Sequence, residues 1–309
     1  MQPGIYDLPA GAYHRDPCPG PSLSASMATI LLEQSPLHAW HAHPKLNPEW
    51  EEGDSSREQD EGTALHALFL EHQDIVAVLE FDSYQTAAAR QARDEARRAG
   101  KIPVLTARWA ELQKVAPALR RQLVTHQQAP DAFTKGRPEQ TLLWQQETRF
   151  GPIWCRSRID WLPDDAGWWI DDLKTVGTSA APSTWAKSLL DKGAPLQHAF
   201  NCAGSAALRG KAPKGVRFVG IERDPPHALS IVALGPELVL LGEERMRIAC
   251  ELWAQCLRDN QWSGYPPFVT RLDAPGYLTL RWEEKKAREQ QARRLASDPR
   301  VTQSPTPWA

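Results

Sequence analysis

The fold is decided by residues 160–174, which read DWLPDDAGWWIDDLK. One apolar segment ends at Asp160, a turn follows, and a second apolar segment ends in Asp172, Leu173 and Lys174. Because successive side chains of a strand point to opposite faces, Asp172 and Lys174 emerge together while Leu173 faces the other way. If the two segments pair as neighbouring strands, Asp160 joins them. Two carboxylates and a lysine at a strand end suit a divalent cation and a phosphodiester.

Length and composition limit the class of protein. A chain of 309 residues, 41% of them hydrophobic, predicts one large domain or two small ones around a substantial core. No stretch approaches the roughly 18 uninterrupted apolar residues of a membrane span, and the N-terminus lacks the basic and apolar regions of a signal peptide. We therefore expect a cytoplasmic protein without membrane association. Because the net charge is −2, any phosphate-binding surface must be local.

The cysteines predict neither a disulfide framework nor a zinc site. They are odd in number, scattered, and include no C-x-x-C pair. We expect reduced packing residues at all five positions, which are Cys18, Cys155, Cys202, Cys250 and Cys256.

The chain divides by composition. Residues 1–22 are rich in proline and glycine and predict an extended arm on the surface. Residues 23–282 are expected to form one domain, with a helical N-terminal part at 23–135 and a sheet-centred core at 136–262. Residues 283–309 predict a charged helix and a disordered end rich in serine and proline.

A hairpin is expected immediately before the opening stretch. From Glu139 the apolar residues follow a period of two, interrupted by a turn at Gly151 and Pro152. Arg156 and Arg158 alternate with Cys155, Ser157 and Ile159, so both are expected to face solvent or a phosphate groove. Glu139 could add an acidic group to the site, although a surface position at the sheet edge is the more typical interpretation.

The serines at 24 and 26 and the histidine at 66 each have a structural interpretation and a functional one. Ser24 and Ser26 precede an apolar run, where capping of a helix is more typical than contact with phosphate. His66 lies beside the helical stripe of Leu65 and Leu68, and a helical histidine more often packs or is solvated than binds metal.

The candidates follow a particular order along the chain. His66 lies on an early helix, Asp160 and the Asp172 to Lys174 segment lie on central strands, and Gln197 lies on the next helix. This set resembles the RecB-like branch of the PD-(D/E)xK nuclease superfamily, most closely the RecE-type exonucleases (exonuclease VIII) of phages and prophages. The resemblance covers most of the chain and implies an α/β fold with a restriction-endonuclease-like core, in which helices flank a central mixed β-sheet.

The resemblance also implies roles for single residues. Mg²⁺, or Mn²⁺ as a substitute, is expected at His66, Asp160, Asp172 and the Leu173 carbonyl. Neighbouring carboxylates should keep Lys174 protonated, which favours water positioning over general-base catalysis. The catalytic set is expected to be Asp160, Asp172, Lys174 and Gln197. Candidates for DNA contact are Ser24, Ser26, Arg156, Arg158 and Thr175.

Three features of the sequence concern how closely it follows the family pattern. The tyrosine of the family's Gln-x-x-x-Tyr motif is replaced by Asn201. Asp171 adjoins Asp172, and the spacing to Lys174 favours Asp172 as the metal ligand. Some RecB-like nucleases hold an iron–sulfur cluster with three late cysteines, which Cys250 and Cys256 cannot supply, so no cluster is expected.

The function implied is metal-dependent exonuclease digestion of duplex DNA ends. The family further implies 5′→3′ polarity, a homo-oligomeric ring, a RecT-like single-strand annealing protein as partner, and recombination in the cytoplasm of a bacterial host. Two alternatives stay open. One is a single-strand or structure-specific repair nuclease on the same core. The other is a catalytically degenerate DNA-binding module, which Asn201 would permit.

Overall fold

The computed structural model describes residues 1–51, 53, 56–70, 75–177 and 179–297. The strands are β1 (Gly4–Asp7), β2 (Ser22–Leu23), β3 (Val76–Leu79), β4 (Ile102–Leu105), β5 (Gly136–Gln146), β6 (Ile153–Pro163), β7 (Trp169–Val176), β8 (Gly215–Glu222) and β9 (Leu229–Ala233). The helices are α1 (Ala10–His14), α2 (Ala25–Glu33), α3 (Pro36–Ala42), α4 (Arg57–Phe69), α5 (Ala87–Arg98), α6 (Thr106–Val124), α7 (Pro182–Asp191), α8 (Ala194–Arg209), α9 (Pro236–Asp259) and α10 (Gly276–Ser297).

A mixed β-sheet forms the centre of the protein. Its strand order is β1-β5-β6-β7-β8-β9, and the short β2 pairs in parallel with β6. Neighbours from β1 to β7 are antiparallel, whereas β7 and β8 are parallel. A parallel pair needs a crossover connection, which α7 and α8 provide. The expected α/β fold with a central mixed sheet flanked by helices is confirmed.

Helices cover both faces of this sheet. On one face, α2, α8 and α9 pack over a core that includes Phe200, Phe218 and Trp253. On the other face, α4 and α6 bury Leu65 together with Leu173 of β7. Because strand side chains alternate, the face opposite Leu173 receives Asp172 and Lys174.

Capping residues set the starts of the helices that carry site residues. Ser56 and Gln59 form a capping box at α4, with the Ser56 amide donating to Gln59 Oε1 at 2.7 Å. Helix α8 begins after Gly193, whose left-handed backbone (φ 80°) ends the preceding turn. Pro195 in the first turn of α8 has no amide to leave unsatisfied.

Close packing holds α8 against the sheet. A Cβ on Gly204 would lie 2.7 Å from the ring of Trp144, which is buried in β5. Glycine is therefore required for this helix to approach the strand so closely.

The N-terminal residues are more integrated than the expected surface arm. Strand β1 adds to the sheet edge beside β5. Asp16 is buried and accepts from the amide and hydroxyl of Ser22 at 2.8 and 2.7 Å. Arg156 and His43 approach the same carboxylate within 3.4 and 3.2 Å. This polar cluster links residues 1–22 to β6.

The described residues divide into two units, one from Met1 to Gly264 and one that begins at Tyr265. The charged helix expected from residue 283 begins earlier, at Gly276. The predicted disordered end from residue 298 onward lies outside the described residues. All five cysteines are free, and all but Cys202 are buried. No helix of the described ranges combines the length and apolar character that crossing a membrane requires.

Candidate metal centre

Two adjacent strands bring the predicted acidic residues together. On β6, Asp160 Oδ2 accepts a hydrogen bond from the backbone amide of Leu173 on β7 at 2.8 Å. On the opposite face from the Leu173 side chain, Lys174 Nζ lies 2.5 Å from Asp172 Oδ2. The three residues Asp160, Asp172 and Lys174 thus lie around one short segment of backbone.

His66 reaches this segment from helix α4. Its Nε2 lies 2.9 Å from the Leu173 carbonyl oxygen. Because a carbonyl can only accept, Nε2 carries a proton and Nδ1 faces the carboxylates. Nδ1 lies 3.6 Å from Asp160 Oδ2 and 3.7 Å from Glu139 Oε1. The Leu173 carbonyl, expected as a metal ligand, is therefore engaged in orienting the histidine.

Glu139 belongs to this group, so its interpretation as a sheet-edge surface residue is wrong. Its side chain is only 16% exposed, and its Oε2 accepts from Arg158 Nε at 2.8 Å. Donor atoms of His66, Glu139 and Asp160 all lie within 4.8 Å of one another. The backbone of Glu139 is left-handed (φ 52°), a conformation that costs a non-glycine residue free energy.

Hairpin register could have revealed Glu139 from the sequence. The pairs Pro138–Trp161 and Gln140–Ile159 flank it, which places Glu139 opposite Asp160. Counting outward from the predicted turn therefore brings the two acidic residues together. Until that count is made, the sequence does not distinguish a buried acidic residue of this strand from a solvated one.

The carboxylate of Asp172 is held by two partners. Gln197 Nε2 on α8 donates to Asp172 Oδ1 at 2.6 Å, and Lys174 approaches the other oxygen. Asp172, expected as a metal ligand, is not one of the three clustered donors. It adjoins them, because the amide of the next residue, Leu173, donates to Asp160 Oδ2.

Asp171 lies on the opposite side of β7. Arg217 Nε and Nη2 donate to its two oxygens at 2.6 and 3.0 Å, and the Phe133 amide donates at 2.8 Å. Asp171 therefore anchors β7 to β8 and to the segment before β5.

Burial and neighbouring charges shift the pKa values of three residues at the candidate site. Burial and the charge of Asp172 raise the pKa of Asp160 to about 7. Burial lowers the pKa of His66, but Asp160 and Glu139 outweigh it and raise that pKa to about 9. For Lys174, burial is likewise outweighed by Asp172 and Asp160, so its pKa is raised and it is cationic at neutral pH.

The two arginines predicted to contact DNA have internal partners instead. Arg156 is buried, and its Nη1 donates to the Ser22 carbonyl and hydroxyl at 2.7 and 2.6 Å. The expectation that Arg156 faces solvent or a phosphate groove is wrong, because β2 and residues 1–22 cover that side of β6. Arg158 donates to Glu139 and to the Leu8 carbonyl at 2.5 Å.

The hydroxyl residues predicted to contact DNA, Ser24, Ser26 and Thr175, differ in burial and in hydrogen bonding. Ser24 is buried and caps α2, accepting from the Met27 amide at 3.3 Å. Ser26 is exposed, with its hydroxyl 3.1 Å from that of Ser24. The Thr175 hydroxyl is buried and has no hydrogen-bond partner among the described residues. Asn201 is buried and accepts from Ser157, so it contributes to the core.

The residues present fit a divalent cation. One imidazole nitrogen and two carboxylates converge, and these ligand types suit Mg²⁺ and Mn²⁺. The second nitrogen of His66 is held by a backbone carbonyl, as metal-ligating histidines usually are.

The fold has a counterpart among solved structures. It is similar to the crystal structure of a protein from Eubacterium rectale described as a candidate exonuclease, with 13% sequence identity and a TM-score of 0.57. The match covers 87% of this chain and 96% of that one. No family model and no curated protein match the sequence. At this identity the similarity demonstrates a shared fold.

Proposed function

We infer that this protein is a metal-dependent nuclease that hydrolyses phosphodiester bonds of DNA. The observation that carries the proposal is the donor group of His66, Glu139 and Asp160 beside the ion pair of Asp172 and Lys174. A cluster of cation ligands next to a fixed positive charge suits a phosphodiester substrate. The fold shared with a candidate exonuclease supports the same function.

The metal would be held by His66, Glu139 and Asp160, with Asp172 as the adjoining carboxylate. When bound, it would polarise the scissile phosphate and lower the pKa of the attacking water. The Leu173 carbonyl fixes the ring of His66, so that Nδ1 stays directed at the two carboxylates. Arg158 Nε donates to Glu139 Oε2 and so limits the orientation of that carboxylate.

Lys174 would stabilise negative charge that develops on the phosphate. Its raised pKa keeps the ammonium protonated at neutral pH, which makes it a donor and not a base. Gln197 has a positioning role, because its amide donates to Asp172 and limits where that carboxylate points.

The sequence resemblance supports a finer proposal. The substrate would be a duplex DNA end, digested 5′→3′ by a RecE-type enzyme to expose single strands for recombination. A RecT-like single-strand annealing protein would be the partner, and a homo-oligomeric ring the active form. A native mass measurement tests the ring, and a monomer would contradict it.

Digestion of linear duplex DNA with Mg²⁺ tests the activity. Asp172→Ala and Lys174→Ala should each lower the rate by about 100-fold or more, the usual effect of removing a transition-state contact. Matched controls are Asp165→Ala and Lys211→Ala, which remove an exposed ion pair after β6 and α8. Undiminished digestion by either site variant would contradict the assignment.

The substrate is identified by comparing blunt duplexes, single strands and flaps under the same conditions. Preference for duplex ends supports an exonuclease, whereas preference for single strands or flaps supports a repair nuclease on the same core. Binding in a gel shift without Mg²⁺-dependent turnover would indicate a degenerate DNA-binding module.

A further inference from the structure

A pocket of about 260 Å³ opens between the end of β7 and helix α7. It adjoins the candidate metal centre, because Lys174 contributes to both. The residues around it that carry the following argument are Lys174, Val176, Thr184, Trp185, Ser188 and Lys192.

One side of this α7 pocket is a polar stripe. Thr184, Ser188 and Lys192 follow one another at intervals of four, which places them on the same side of α7 and its C-terminal cap, Lys192. All three are exposed. Across the described ranges, the two hydroxyls make no hydrogen bond and the Lys192 ammonium has no carboxylate partner. These groups remain available to an anion.

Another part of the α7 pocket lining is apolar and fixed. Trp185 is buried, and its Nε1 donates to Ser230 Oγ at 2.8 Å. Its ring packs on Gly220 of β8, where a Cβ would lie 2.8 Å from the indole. Val176 continues this apolar wall along β7. A ligand with an apolar part and an anionic part would contact both kinds of lining.

Resting on the nuclease function proposed above, we propose that the α7 pocket binds one nucleotide of the DNA strand, next to the phosphate that is cleaved. Lys192 and the hydroxyls of Thr184 and Ser188 would hold its phosphate, and the apolar wall would contact the sugar or base. The volume of about 260 Å³ lies just below the roughly 300 Å³ at which the range of ligand pockets begins, so the pocket suits one nucleotide better than a base pair. Lys174, shared with the metal centre, places the neighbouring phosphate at the site of hydrolysis.

Binding of a labelled single-stranded oligonucleotide tests this proposal, with Ca²⁺ replacing Mg²⁺ to prevent turnover. Lys192→Ala should weaken binding about fivefold, the loss expected for one exposed ion pair. The slope of log affinity against log salt should fall by about 0.7, because one phosphate contact is lost. Lys187→Ala is the matched control, since Lys187 is also exposed on α7 but does not line the pocket.

Kinetics on linear duplex DNA with Mg²⁺ complete the test. Lys192→Ala should raise KM with kcat nearly unchanged, and Lys192→Arg should restore KM because the charge returns. If wild type digests DNA while Lys192→Ala and Lys187→Ala bind and digest alike, the pocket assignment is wrong and the nuclease function stands. If wild type does not digest DNA at all, the nuclease function itself fails.

Discussion

Glu139 gives the most direct single-residue test of the donor group. Glu139→Gln keeps the side-chain volume but removes a charged ligand 3.7 Å from His66 Nδ1. We expect affinity for Mn²⁺, measured by titration calorimetry, to fall by at least about tenfold, the minimum cost usually seen when a metal site loses a supporting group. Glu147→Gln is the control, because Glu147 is exposed beyond the end of the same strand. Equal affinities for the two variants would exclude Glu139 from the site.

Substitutions of the adjacent Asp171 and Asp172 should have different effects, the first on stability and the second on metal affinity. Asp171→Asn removes the buried carboxylate partner of Arg217 and leaves it only the partly exposed Asp131, which should lower the free energy of unfolding by about 1–3 kcal/mol. Urea denaturation measures this loss, and Mn²⁺ affinity should be nearly unchanged. Asp172→Asn should lower Mn²⁺ affinity instead. Loss of metal binding in Asp171→Asn at intact stability would reverse the assignment of the two residues.

At the level of elements, we expect the close packing of α8 on β5 to fix the position of Gln197. Alanine favours a helix by about 1 kcal/mol over glycine, so Gly204→Ala would be stabilising on an exposed helix. Here its Cβ would lie 2.7 Å from Trp144, which must shift or push the helix away. We expect a net destabilisation of about 1–3 kcal/mol in urea, together with a lower kcat as Gln197 moves from Asp172.

The control for that experiment is Ala207→Ser, at an exposed position of the same helix. It should change neither stability nor kcat appreciably, because its side chain does not face the sheet. If Gly204→Ala is as stable and active as wild type, α8 has room to move, and its close packing does not position Gln197.

At the level of the whole molecule, the Asp16 cluster ties the N-terminal residues to the sheet. Burial raises the pKa of Asp16, but His43, Arg156 and Ser22 outweigh it, and the pKa falls to about 2. Because the folded pKa lies below the ordinary value of about 3.8, the charged carboxylate stabilises the fold. This contribution of about 2 kcal/mol is complete above pH 4 and is lost as the pH falls toward 2.

Urea denaturation of wild type and Asp16→Asn at pH 5, 4 and 3 measures that contribution. The difference in unfolding free energy between the two proteins should be largest at pH 5 and should shrink as the pH falls. A difference that stays constant over this range would show that Asp16 titrates alike in the folded and unfolded chains.

Much of the site is recoverable from local sequence because it lies on two strands joined by a short turn. Alternation placed Asp172 and Lys174 on one face, and a hairpin register confined to a few residues brought Asp160 beside them. The helical stripe of Leu65 and Leu68 also predicted which side of α4 is buried. Local periodicity is enough to predict which side chains meet when those residues are also close together in the chain.

The remaining features depend on contacts between distant segments. Arg156 alternates like a solvent-facing residue, but Ser22, more than a hundred positions earlier, covers it. The orientation of His66 is set by a carbonyl 107 residues away, and the α7 pocket exists only because β7 and α7 meet. The sequence by itself determined the fold class and the order of the acidic, basic and amide groups. Tertiary structure alone decided which charged groups face the site, because burial and partners, unlike periodicity, depend on long-range packing.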